Sequence, residues 1–270
     1  MTSLPGLGEP RSPDETSLNA FHGAGHVQLR EVFSSGELSA YRPALREYIL
    51  SKRERLLPGE QAMGASAQDT VFSLEDAPDA VRAFVTAPRL GELASRMLGV
   101  PAVRLLHFTG FFKAGGGPPT PWHQDLTFIP LDCEQALSVW IPLTDLTPDM
   151  GGLVFASGSH RQGLLSPSAA GRFTLARNGP MRAGDISVHM GWTLHASLKN
   201  TSPAMREAIA VCYYADGARI APPRSLPFSQ RLLASCFSGL SPGEPAAGPL
   251  NPVVFRRSDS TPHPSLPEER

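Results

Sequence analysis

The residues of this chain whose types could do chemistry are Trp122-His123-Gln124-Asp125 and, seventy positions on, His195-Ala196-Ser197, with Arg206 eleven positions beyond that histidine. Two imidazoles and a carboxylate in this order can form a facial triad, which grips one side of a metal ion and leaves the other side open. If the first segment is extended, side chains at i and i+2 point to the same side, and His123 and Asp125 project together. The short motif is weak alone, because eight His and 25 acidic residues among 270 positions produce roughly 0.7 such pairs by chance. Its company adds to it. Arg206 opens an apolar run, where a buried guanidinium needs an anion, and a carboxylate cosubstrate would suit it through bidentate, charge-assisted hydrogen bonds. Ser197, two residues after His195, would share its strand face and add a hydroxyl. The alternative makes both histidines satisfied groups near turns, Asp125 a turn residue and Arg206 a surface ion-pair partner.

The other histidines read differently. His22 and His26 flank Gly23 and Gly25, poor helix residues, which argues against an i,i+4 ligand pair. His107 and His189 sit in apolar strands as core groups or as supports for a site; His160 follows a turn, and His263 lies near the end of the chain. Cys133, Cys212 and Cys236 are odd in number, far apart and lack CxxC spacing, so they read as buried free thiols.

The elements that must position these groups can be read from punctuation and periodicity. Ser34 with Glu37 is a capping-box pattern, and Leu38, Tyr41, Leu45 and Tyr48 then recur at helical spacing up to the charged cluster Lys52 to Arg55. A second helical region runs from about Pro78 to Leu98, interrupted near Pro88 and ended by Gly99. From Val103 the pattern changes to short β-type runs at 103–113, 136–143, 152–156, 185–189, 193–197 and 207–214, separated by Gly- and Pro-rich turns. This predicts a mainly β protein: a helical prelude to about residue 100, a jelly-roll core over about 101–216, then pocket loops and a C-terminal extension. Residues 18–256 read as one domain and 1–17 and 257–270 as flexible tails. The stretch from Gln162 to Pro180 reads as a mobile flap.

Composition excludes several classes. A net charge of −1 with scattered Lys and Arg provides no basic stripe for nucleic acid. No apolar run is long enough to span a bilayer, and the first residues lack a signal peptide's pattern, so a cytoplasmic protein is expected.

Several ordered blocks resemble one family, the phytanoyl-CoA dioxygenase-like Fe(II)/2-oxoglutarate-dependent oxygenases, over about Phe21 to Phe255. Pro121 to Leu126 resembles its HxD segment. Ala136-Leu137-Ser138-Val139-Trp140-Ile141-Pro142-Leu143, Gly151-Gly152-Leu153 and Gly158-Ser159-His160-Arg161 resemble its central block. Ala183-Gly184-Asp185 to His195-Ala196-Ser197, with Asn200 and Arg206, is similar to the block that carries the distal histidine and the cosubstrate arginine.

The resemblance implies a cupin-like double-stranded β-helix and iron ligands at His123, Asp125 and His195. It implies Arg206 and Ser197 on the far carboxylate of 2-oxoglutarate, Trp140 lining that pocket, and O2 as the other cosubstrate. Gly158 to Arg161 is read as a tight turn with no ligand role. An upstream lysine that some members use has no counterpart in Ala67-Gln68-Asp69-Thr70, where Gln68 or Thr70 could stand in. Because the carboxylate ligand is present, halogenation is disfavoured; hydroxylation is the default, with cyclisation, epimerisation or desaturation open to the same chemistry. Pocket walls are expected from residues 57–70, 126–133, 162–180 and 215–226. With no basic cluster there, the reading favours a small or polycyclic natural product, as in secondary metabolism, over an acyl-CoA. The competing classes are a non-catalytic cupin-like module that binds metal or ligand, and a metal-dependent isomerase or hydrolase on the same barrel.

Overall fold

The computed structural model describes residues 4–9, 12–53, 69–222, 224 and 226–258. Helix α1 (Glu15–Ala24) starts at Asp14, whose carboxylate accepts from the Ser17 amide, and stops at Gly25 in the left-handed region. Helix α2 (Ser35–Arg53) opens with a reciprocal capping box: the Ser34 amide donates to Glu37 Oε2 (2.8 Å) and the Glu37 amide to Ser34 Oγ (3.2 Å). The region expected around Pro88 is two helices, α3 (Asp79–Val85) and α4 (Pro88–Leu98), and Gly99 ends the second with φ 68°.

Eleven strands are described in two sheets, which form a jelly roll. The large sheet runs β1 (His26–Leu29), β8 (Ile186–Met190), β5 (Ala136–Pro142), β10 (Ala208–Ala215), β3 (Ala102–Phe111), β11 (Val253–Arg256), with β2 (Asp69–Phe72) also on β3. The small sheet runs β4 (Thr120–His123), β9 (His195–Ser197), β6 (Leu153–Ala156), β7 (Leu175–Arg177). Every described pairing between these strands is antiparallel.

Alternation gives the large sheet two different faces. Leu137, Val139 and Ile141 of β5 and Ile209, Val211 and Tyr213 of β10 join the main core with α2, α3 and α4, whereas Ser138, Trp140, Ala210 and Cys212 face the small sheet. On β3 the phase changes midway. Cys212 pairs with His107 but Tyr213 with Leu105, so Leu106 is the extra residue of a β-bulge. The bulge lets Val103 and Leu105 before it, and Phe108 and Phe112 after it, all reach the helix-side core, and it turns His107, Thr109 and Phe111 inward. At Gly110 a Cβ would stand 2.6 Å from Ile49 Cγ2, so only glycine lets α2 lie this close to the sheet.

Two expectations need correction. The segment before Leu18 is not simply a loose tail: Leu7 is buried, Tyr41 Oη donates to Pro5 O, Arg89 Nε donates to Glu9 O, and α1 begins at Glu15. The buried Arg89 also pairs with Glu37 at 2.8 Å, and that guanidinium holds the Glu37 carboxyl down at about 2. Residues 162–180 are not a bare flap either, since they carry a 3-10 turn (Pro167–Arg172) and β7, which pairs with β6. Of the expected tail at 257–270 the residues from 259 on lie outside the described residues, as do Gln68 and most of the expected wall at 57–70.

Candidate metal centre

Strands β4 and β9 place His123 directly opposite His195. Asp125 reaches them from a 3-10 turn (Asp125–Thr127), not from the strand, because β4 ends at His123. This corrects the i,i+2 argument. What aims the carboxylate is the turn, held by the Leu126 amide on Gly191 O (3.0 Å) and by Gln124. The buried Gln124 amide spends its groups on backbone, donating to Gly163 O and Trp192 O and accepting from the Leu165 amide, each at 2.7 Å.

The three side chains meet at one point. His123 Nε2 and His195 Nε2 lie 3.6 and 3.7 Å from Asp125 Oδ1, and one potential ligand atom from each residue falls within 4.8 Å of the others. Each Nδ1–H donates to the carbonyl two residues back, His123 to Pro121 O (2.8 Å) and His195 to Thr193 O (2.9 Å). Those bonds leave each Nε2 with a lone pair in the neutral ring. Asp125 Oδ2 is occupied from the other side by Ser138 Oγ (2.6 Å) and His189 Nε2 (3.2 Å), which leaves Oδ1 facing the histidines.

Electrostatics favour the carboxylate form of Asp125 and the uncharged ring of His195. Burial would push the Asp125 carboxyl up, but His195, the hydrogen bond from His189 and the charges of the neighbouring rings outweigh it and hold it well below the usual range. Burial, reinforced by His189 and His123, pushes His195 well below the ordinary imidazole value. A carboxylate oxygen beside two imidazole nitrogens is a donor set that suits Fe(II). Among the described residues this is the one cluster of three such groups close enough to hold a metal.

The remaining expected residues line the same cavity, of about 440 Å³. Arg206 begins the approach to β10, donates to Gly151 O, and lies with its guanidinium 5.5 Å from the Trp140 ring centroid. Ser197 donates to Thr120 Oγ1 (2.9 Å). Lys113, which the sequence reading passed over, is buried here: its Nζ donates to Ser197 Oγ (2.7 Å) and Leu198 O (2.9 Å), and its backbone forms a two-way bridge with Arg206. Ser159 of the expected tight turn accepts from the Leu194 amide (2.8 Å), pinning the start of β9, and His160 contacts His22 O away from the cluster. The far wall comes from Phe128 and Ile129, as expected of 126–133, and from α5 (Pro227–Cys236), which was missed; from the expected 162–180 wall no residue lines the cavity.

Residues 21–208, more than two thirds of the chain, match the family model described as phytanoyl-CoA dioxygenase (PhyH). The chain belongs to the phytanoyl-CoA dioxygenase family. Phytanoyl-CoA dioxygenase 1 of Oryza sativa subsp. japonica is 29% identical over 109 residues, a stretch that covers 36% of this chain and 38% of that protein. Among solved structures, the non-haem alpha-ketoglutarate-dependent carbocyclase SnoK from nogalamycin biosynthesis is 26% identical with TM-score 0.76, covering 92% of this chain and 100% of that one. The epimerase SnoN from the same biosynthesis (23%, TM-score 0.72, 92% and 98% covered) shares the fold. So does EctD from S. alaskensis, solved with 2-oxoglutarate and 5-hydroxyectoine (20%, TM-score 0.67, 83% and 84% covered). Within this family member, no described helix is long and apolar enough to cross a membrane.

Proposed function

We propose that the protein is a non-haem Fe(II)/2-oxoglutarate-dependent oxygenase that removes hydrogen from a C–H bond of a small organic substrate, in natural-product tailoring. The observation that carries the reading is the convergence of two Nε2 lone pairs and one open carboxylate oxygen on a cavity that also contains Arg206 and Ser197. His123, Asp125 and His195 would hold the iron. Bound iron supplies oxidative decarboxylation of 2-oxoglutarate by O2, giving succinate and CO2, and abstraction of the substrate hydrogen. Arg206 would clamp the far carboxylate of 2-oxoglutarate bidentately, its guanidinium steadied by Gly151 O and the Trp140 face. The Ser197 hydroxyl, already anchored by Lys113, can turn its proton toward the same carboxylate. Lys113 is thereby the cation that stands nearest to the role sought at residues 67–70. The apolar walls exclude water from the reacting carbon.

Similarity to a carbocyclase and an epimerase of one biosynthetic route supports the tailoring reading and leaves cyclisation and epimerisation beside hydroxylation. The retained Asp125 speaks against halogenation. The test is succinate formation from 2-oxoglutarate under air with added Fe(II), with and without candidate substrates, on wild type and on His123→Ala and Asp125→Ala. Succinate that depends on both residues is expected. Full activity in either variant would remove the triad assignment, and iron binding without turnover on any substrate would favour a binding module.

A further inference from the structure

The strand register draws a straight line across the inner face of the large sheet. His189 pairs with Ser138, Ser138 with Cys212, and Cys212 with His107. The first three have visible employment: His189 and Ser138 bond Asp125 Oδ2, and Cys212 Sγ meets Ser138 Oγ at 3.1 Å. His107 ends the row without one. Its ring lines the cavity at 7% exposure, its buried Nδ1 has no hydrogen-bond partner, and the ring bonds no described residue. Buried polar side chains are nearly always satisfied, so an imidazole left this way in the wall of a ligand cavity calls for a partner that is not protein.

The row also says which end of the cavity His107 serves. Two residues along β3, Thr109 pairs with Ala210, which packs with Trp140 at the Arg206 end. His107 pairs instead with Cys212, which packs with Ile129 and Leu232 in the cluster that Phe128 and Phe228 join, the last two meeting edge to face at 5.3 Å. Adjacent strands lie roughly 4.8 Å apart, so His107 stands about 10 Å along the row from Ser138 and away from the Arg206 end. Burial holds the ring's pKa at about 4 against the pull of Asp125, so near neutrality it is uncharged, with one donor and one acceptor. That chemistry suits a hydroxyl or keto oxygen better than a carboxylate.

We propose that His107 is the substrate-recognition residue of this cavity, hydrogen-bonding a hydroxyl or keto oxygen on an otherwise apolar, aromatic substrate and so setting which C–H bond faces the metal. The proposal rests on the oxygenase reading above and names the substrate class for it. It is tested on full-length protein loaded with Co(II) in place of iron and with 2-oxoglutarate, using 2-naphthol and naphthalene as a matched pair that differs by one hydroxyl. Calorimetry of both probes is run on wild type, His107→Leu and His107→Gln, with ring 15N spectra of the wild type. The ratio of 2-naphthol to naphthalene affinity should fall about tenfold in His107→Leu, the size of one net hydrogen bond, and recover in part in His107→Gln. The His107 nitrogens should shift with 2-naphthol and not with naphthalene. If the leucine variant does not fold, the wild-type spectra and the glutamine variant decide. A ratio unchanged within twofold, an unshifted ring, or no binding of either probe to protein that has taken up Co(II) and 2-oxoglutarate would overturn the proposal. Failure of Co(II) or 2-oxoglutarate to bind would sink the oxygenase reading itself, and this one with it.

Discussion

Ser138→Ala removes the shorter of the two hydrogen bonds on Asp125 Oδ2, the one at 2.6 Å, and leaves His189 at 3.2 Å as the other donor. A hydrogen bond to an ionised group contributes about 1.5–3 kcal/mol. Without it the carboxylate is freer to turn, and part of the cost of fixing Oδ1 toward the histidines passes to the binding step. At 1.4 kcal/mol per decade, metal affinity should fall by roughly 10- to 150-fold, in line with the 10- to 100-fold commonly seen when a ligand's hydrogen-bond partner is removed. The substitution deletes one oxygen and little volume, so the fold should survive; Cys212, 3.1 Å from the same hydroxyl, loses only a weak partner. The assay is anaerobic competition for Co(II) or Fe(II) between metal-free protein and a chromophoric chelator, without 2-oxoglutarate. A thermal melt in excess chelator checks folding. Affinity within twofold of wild type, in a variant that melts normally, would refute the claim that Ser138 orients Asp125.

Arg206→Lys keeps the charge but loses the planar fork, so the KM for 2-oxoglutarate should rise roughly 10- to 100-fold with a smaller effect on kcat; initial rates across cosubstrate concentration measure the split. Gln124→Leu strands two carbonyls and one amide that the side chain now satisfies, and should cost about 3 kcal/mol or more in urea unfolding; a loss under about 1 kcal/mol would show that the turn does not need this clamp. The metal-free protein should lose stability as pH falls from 6.5 toward 4. His107 and His26 both have folded values of about 4, so in that window the unfolded chain takes up protons that the folded one refuses. For His107 alone the loss at pH 5 is roughly 2 kcal/mol relative to pH 8, and His107→Gln should remove that share of the slope in urea titrations at the two pH values.

The jelly-roll strands were readable because β5, β8 and β10 are dense apolar runs between Gly- and Pro-rich turns. The elements that escaped are short and break the pattern. Strand β4 is Thr120-Pro121-Trp122-His123, with a proline and no alternation; β7 has three residues, none of them buried; and α5 starts at Pro227 in a stretch that reads as loop. The triad residues were legible from type and order, but the reason they converge was not. The i,i+2 spacing of His123 and Asp125 suits a strand, but a turn clamped by Gln124 does the positioning. Lys113 looked like the polar end of an apolar strand, since its partner Ser197 is 84 residues away and only the fold joins them. His189 could be narrowed to the core or a supporting role; register then put it beside Ser138 and under Asp125.

The placement of the site follows from how the two sheets divide the work. Both imidazoles come from the small sheet, whose strands of three or four residues set them opposite each other and whose local carbonyls set their tautomers. The groups that orient Asp125 come from the large sheet, whose long strands are anchored on their other face by the helix-side core. Asp125 belongs to neither sheet and is bonded from one while it faces the other. The cluster is therefore a joint between layers: its geometry depends on the separation of the sheets, and Leu126 and Gln124 on either side of Asp125 tie the connecting turn to residues 163–165 and 191–192. The bulge at Leu106 serves the same division, since if β3 alternated regularly through Leu106 with no bulge, His107 and Thr109 would take the phase of Val103 and Leu105 and point into the helix-side core. One inserted residue keeps β3 packed on its outer face and polar on its inner one, which is the condition for a ligand cavity between two otherwise apolar layers.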